Sequence, residues 1–442
     1  MNYIHSLSIF LILFSIYYVN VCNSLPRHKQ KFDNNQDNPN NITRKKNLKQ
    51  KFRRQLQGSL EDYPFVNLSI YIDTAEFNDT FPKDKGIDSY KGNYIKAMYK
   101  AKEILENFLE KRADIAAEGI DLIISGDGGV NKFYVKEQYE IENFTDFFKK
   151  ENLKFNEYNH FIFAKFTDLK EESASVILDD YNGIPIVGIV LFNKNIENFD
   201  KSKLTVDYLT NLMLHHFIRL LGFSENKNYF NDYIASSEGS YYLSIEESYN
   251  FTNVINYARK YFNCPSIEKI DLFLDEGNTD ENGHYYEHAS NTIIGLYWPK
   301  RLFLGEIMTK FDYPEEQILS GFTLAFLDDL PYLHVIKNYT GGLMKFGKHK
   351  GCEFFYNYCG NSSNSLSTFA NEFYLPSTEP TKTQEPSCSS GRLSKTIYKL
   401  REIETSEKTD TSNIFEYFIG DKEKAGEKSL SICSILLWAF WN

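Results

Sequence analysis

The chain has 442 residues, 42% of them hydrophobic and 25% charged, and a formal net charge of −11. That length and apolar content exclude a wholly disordered chain and provide for two or three packed units. The acidic balance argues against a nucleic-acid partner, because a phosphate backbone is bound mainly by clustered Lys and Arg.

Residues 1–24 carry an apolar run from Leu7 to Val19, no Lys or Arg, and small or polar residues after it. The run is too short to span a bilayer, so this stretch predicts a secretory signal peptide. Residues 25–60 read as a basic pro-segment or linker: between Leu25 and Arg54, ten Lys and Arg face only Asp33 and Asp37, a local charge of +8. Seven Asn-x-Ser/Thr sequons follow, at Asn41, Asn67, Asn78, Asn143, Asn250, Asn338 and Asn361, which together with the leader predict a glycosylated product at the cell surface or outside the cell. Five cysteines remain after the leader, Cys264, Cys352, Cys359, Cys388 and Cys433, an odd number with no C-x-x-C pair.

Within the body, Val66–Asp73 alternates apolar and polar residues and predicts a strand. Tyr90–Arg112 places Tyr94, Ala97, Met98, Ala101, Ile104, Leu105 and Leu109 at helical spacing and predicts a long amphipathic helix. Short apolar runs at 120–125, 160–166, 174–178 and 184–192 predict further strands. A second helix is expected over Thr205–Glu225, with Leu209, Leu212, Met213, Phe217, Leu220 and Leu221 on its buried face and Gly222 as its C-terminal turn. On the flank of that stripe, Asn211, His215 and Arg219 form one row, four residues apart. Helices are also expected at 244–262 and 318–329, and the apolar end at 430–441 is too short to cross a membrane as a helix.

Read from His215, the second helix runs H-H-F-I-R-L-L-G-F. This resembles the H-E-x-x-H-x-x-G zinc motif of the metzincin proteases, and with its L-G-F-S ending it most resembles the leishmanolysin family. His215 and Gly222 match, His216 stands at the position of the catalytic glutamate, and Arg219 stands at that of the second zinc-binding histidine. Downstream, G-L-Y-W-P-K-R-L-F-L-G-E-I-M-T from Gly295 resembles the segment that supplies the third histidine and the Met-turn. Trp298, Lys300, Arg301, Glu306 and Met308 match there, and Tyr297 occupies the histidine position. The strand at Gly183–Asn193 resembles the one leading to the active-site helix, beside a substrate cleft where an extended peptide pairs with an exposed sheet edge.

The fold implied is α/β (α+β): a metzincin-like N-terminal subdomain over residues 61–224, with a twisted mixed sheet, a long backing helix and the active-site helix. A Met-turn and C-terminal subdomain would follow over 225–400, and a polar tail with a short apolar end over 401–442. The family's role is zinc-dependent endoproteolysis and cell adhesion. In this chain the expectation is a catalytically inactive homologue, its zinc ligands and base replaced, with zinc absent or weakly bound, because a guanidinium about 4 Å from a divalent ion repels it by about 8 kcal/mol at an effective dielectric near 20. The alternative is a non-enzymatic glycoprotein that binds a peptide or protein in the relic cleft. Arg219 should then hold a carboxylate, either Glu306 or one from a bound peptide. A further alternative is an active zinc peptidase using His284 and His288, which form the inverted motif H-x-x-E-H. His160, His334 and His349 are isolated, so no Ser or Cys triad is legible, and GDGG at 126–129 lacks the lysine of a phosphate-binding loop.

Overall fold

A computed structural model describes residues 65–83, 88–112, 158–169, 172–181, 184–195, 204–223, 235–237, 240–245, 251–275, 295–310, 317–336 and 341–356, with short strand segments at 287–292 and between 387 and 440. The chain from Pro64 onward forms one compact unit. Its architecture is mixed α+β.

The first half is built on β1 (Phe65–Asn67), β2 (Ile70–Asp73), α1 (Ala75–Thr80), α2 (Asp88–Glu106), β3 (Leu109–Arg112), β4 (His160–Thr167), β5 (Ser173–Tyr181), β6 (Ile184–Asn193) and α3 (Val206–Leu220). The main sheet has the order β2-β4-β6-β5, with the first three strands parallel and β5 antiparallel to β6. Every residue of β6 is buried, as a near-continuous apolar run covered on both faces requires. Helices α2 and α3 pack against each other and against this sheet. Between them and the strands sits an aromatic cluster in which Tyr94 meets Phe166 at 5.6 Å and Phe192 at 5.1 Å. Helix α3 lies very close to β6, since a Cβ on Gly188 would come within 2.6 Å of Leu220 Cδ2.

The second half contains β7 (Ala235–Ser237), β8 (Ser240–Ser244), α4 (Thr252–Phe262), β9 (Lys269–Asp275), β10 (Glu287–His288), β11 (Asn291–Thr292), β12 (Gly295–Tyr297), α5 (Lys300–Phe303), α6 (Gly321–Asp329), β13 (Leu333–Val335) and α7 (Gly351–Tyr356). Strands β12-β9-β8-β7 form an antiparallel sheet, while β13 adds to β1 and β3 and so ties the end of this half to the beginning of the first. A disulfide joins Cys264, just after α4, to Cys352 in α7. Cys359, Cys388 and Cys433 lie outside the residues whose side chains are described. Near the C-terminus, Leu436–Phe440 is a strand paired antiparallel with Lys395–Tyr398.

Several expected elements change on folding. The strand expected at Val66–Asp73 is two strands in two sheets: β1 pairs with β3, while β2 pairs with β4. The switch is made at Leu68, whose N–H bonds Leu109 O, and Ser69, whose N–H bonds Asn159 Oδ1. The long helix stops at Glu106, and Leu109–Arg112 becomes the middle strand between β1 and β13. Leu109 follows Leu105 by one helical turn, so spacing alone ran the helix on into a strand that tertiary pairing claims.

The helix expected at 244–262 begins only at Thr252, and Ser244 closes β8. Its first turn has no local side-chain cap. Asp329, at the end of α6, accepts from the N–H groups of Asn253 and Val254 at 2.9 Å each, which no local pattern could announce. The helix expected from 318 starts at Gly321, where the Ser320 hydroxyl caps Phe322 N–H. Finally, β6 is an inner strand with partners on both sides, so the strand at 183–193 offers no edge to a peptide. The outer strands of this sheet are β2 and β5, and β5 is the one beside β6.

Candidate functional site

Helix α3 carries the site, and both its ends are specified locally. The Thr205 hydroxyl accepts from Tyr208 N–H at the start. At the other end Gly222 N–H bonds Arg219 O and Phe223 N–H bonds Ile218 O, the paired bonds of a Schellman turn. Gly222 has φ +132°, and a Cβ there would meet the Tyr332 hydroxyl, which itself donates to Leu221 O at 2.9 Å.

His215 is buried, and its Nδ1–H donates to the Ile307 carbonyl at 2.7 Å, which leaves the Nε2 lone pair facing away from that bond. Burial, and then the charge of Arg219, lowers its pKa to about 3, so the ring is neutral. The Met-turn that supplies this carbonyl is fixed in turn. Trp298 N–H bonds Met308 O at 2.9 Å, and Met308 N–H bonds Glu306 Oε2 at 2.5 Å. Glu306 is fully buried and also accepts from Ser320 N–H, Ser320 Oγ and Thr323 Oγ1. Burial pushes its carboxyl up to about 7 against those donors.

Arg219 is 4% exposed. Its Nη1 makes one long bond, 3.4 Å, to Leu296 O, and its guanidinium lies over the Tyr297 ring at 5.2 Å. The His215 ring stacks on the same tyrosine, centroids 5.9 Å apart and 20° between planes. The fold therefore brings His215, Arg219 and Tyr297, 82 residues apart in sequence at their widest, into one cluster. The expected internal partner is corrected: the Glu306 carboxylate is taken up by the Met-turn and the start of α6, and among the described residues no carboxylate contacts Arg219.

His216 points to the other side, toward β5. Its Nε2 lies 2.7 Å from Ser173 Oγ and its Nδ1 3.1 Å from Ser175 Oγ. These two serines are absent from the motif reading, yet their i, i+2 spacing on a strand marks them as sharing one face. The pair Ser173–His216 does not make an activated nucleophile. Burial, His215 and Arg219 all lower the His216 pKa, whereas a serine hydrolase needs the imidazolium to be stabilised as it forms.

The donor set does not fit zinc. Of the three positions facing one another, one is an imidazole, one a phenol and one a cation that cannot release its proton. Among the described residues no group of three His, Cys, Asp or Glu side chains is placed to hold a metal. For the alternative pair, His284 lies outside the described residues, and His288 lies in β10, a two-residue strand paired with β11.

A search of curated proteins finds no match. The profile of the leishmanolysin peptidases matches residues 174–437, a span that begins in β5 and includes α3, the Met-turn and the disulfide.

Proposed function

Because the chain belongs to the leishmanolysin family of zinc metallopeptidases, we propose that it is a secreted or cell-surface member that keeps the peptidase scaffold without hydrolysing peptides, and binds a peptide or protein in the relic cleft. The observation that carries this reading is Arg219. It holds a fixed positive charge on the face of α3 beside His215 and Tyr297, where the family pattern calls for a second zinc-binding histidine. A divalent ion placed there meets a repulsion of about 8 kcal/mol, while a single imidazole falls far short of the roughly 10–16 kcal/mol that a complete structural site supplies.

Secretion and glycosylation are supported by the Cys264–Cys352 disulfide, which belongs to an oxidising compartment, and by the exposure of the sequon residues Asn67 and Asn78. No helix among the described residues is long and apolar enough to cross a membrane. Adhesion to a surface partner is the family role that such a protein could retain.

The test uses full-length protein purified from a secretory host. The expected result is well under one zinc per chain by elemental analysis, no cleavage of casein, and a mass loss on glycosidase treatment. Stoichiometric zinc with casein cleavage would overturn the reading. In that case His284→Ala and His288→Ala would establish whether the inverted motif holds the metal.

A further inference from the structure

Among the described residues, no counter-charge accompanies the buried guanidinium at the centre of the cluster. Arg219 has five N–H donors, and among the described residues it makes one long bond to a carbonyl and lies over the face of one ring. Burying a cation in this way costs several kcal/mol unless an anion accompanies it. The two imidazoles beside it are held neutral, and Glu306, the acid expected as its partner, is committed elsewhere. Tyr297 on one flank and Ser173 beyond His216 are only half-buried, so the cluster reaches the protein surface on both sides.

We infer that Arg219 is the anchor of an anion-binding subsite, and that its ligand is a peptide carrying a carboxylate. The inference rests on the relic-cleft reading above and specifies what that cleft recognises. A carboxylate matches the guanidinium in charge and in the two-pronged geometry of its donors. One fixed positive charge flanked by neutral rings balances a single negative charge. A phosphate dianion would keep an uncompensated charge in the same buried setting. Tyr297, on whose face the guanidinium rests, acts as the positioning residue that holds the fork in one orientation.

Two sources share this chemistry, a C-terminal carboxylate and an acidic side chain, and three labelled peptides separate them. These are a neutral octapeptide with a free C-terminus, the same peptide amidated, and an amidated version with one central Glu. Their binding to full-length protein is followed by fluorescence anisotropy, with inorganic phosphate as a competitor. Binding of the free acid alone identifies a terminal carboxylate, and binding of the Glu peptide alone identifies a side chain. The neutral amide should bind at least about tenfold more weakly than either, and Arg219→Gln should remove that difference while Arg219→Lys retains part of it.

The inference falls if no peptide binds at millimolar concentration, if the neutral amide binds as well as the acids, or if phosphate binds more tightly than the peptides. Comparing acid with amide on the unaltered protein keeps it testable should Arg219→Gln not fold. Zinc content is measured on the same preparation. Zinc-free protein that ignores every peptide overturns this inference alone, whereas zinc-loaded protein that cleaves casein overturns the proposed function.

Discussion

Arg219 and Lys111 are both buried cations with no carboxylate contact among the described residues, but only one of them can discharge. Lys111 is fully buried in β3, where its Nζ donates to Asn159 O at 2.8 Å and Pro185 O at 3.2 Å. Burial lowers its pKa from the ordinary 10.5 to about 7. The unfolded chain therefore holds more protons than the native one between about pH 7 and 10.5, and stability rises with pH across that window. Thermal melts of the native protein should show Tm climbing from pH 7 toward 10, with the rise reduced in Lys111→Met; equal slopes in both would assign it to other groups. Arg219 offers no such relief, because it stays protonated throughout. Motif spacing reads His215, Gly222 and Met308 as retained positions of the family pattern and Arg219 and Tyr297 as substituted ones. It could not supply their contacts. The Ile307 carbonyl that orients His215 is 92 residues away, and a backbone acceptor leaves no mark in a side-chain pattern.

At the scale of elements, the separation between α3 and β6 sets where the His215 row stands. Gly188 permits the close approach, and a Cβ there would be 2.6 Å from Leu220 Cδ2 inside a packed layer. Gly188→Ala should destabilise the protein by about 1–3 kcal/mol in urea unfolding, and adding Leu220→Ala should cost less than the sum of the single changes. Additive losses would show that the two do not compete for one space. The inner strands were legible as short continuous apolar runs, as in IPIVGIVLFN for β6, and α3 as an apolar stripe of unbroken helical period. Boundaries set by distant partners were not. The split between β1 and β2 depends on Asn159, and the start of α4 depends on Asp329, 76 residues beyond Asn253.

At the scale of the whole molecule, a sheet that joins the two halves of the described body and a disulfide tie it together. β13 pairs with β3, which returns the chain to its first described strands, while Cys264–Cys352 closes a loop with a sequence separation of 88. Removing that link by Cys352→Ser should cost about 2–5 kcal/mol of stability, read from the shift in urea midpoint. The disulfide also encloses Tyr297 and Ile307, which contact the His215 row, and Glu306 and Met308 behind them. A protease that cuts once anywhere between Cys264 and Cys352 therefore cannot release that side as a free fragment. Limited digestion at such a site should give one band without reductant and two with it. If the proposed peptide binding is found, nicked protein should keep it until the disulfide is reduced. In a setting rich in proteases, the molecule could be cleaved there and remain in one piece.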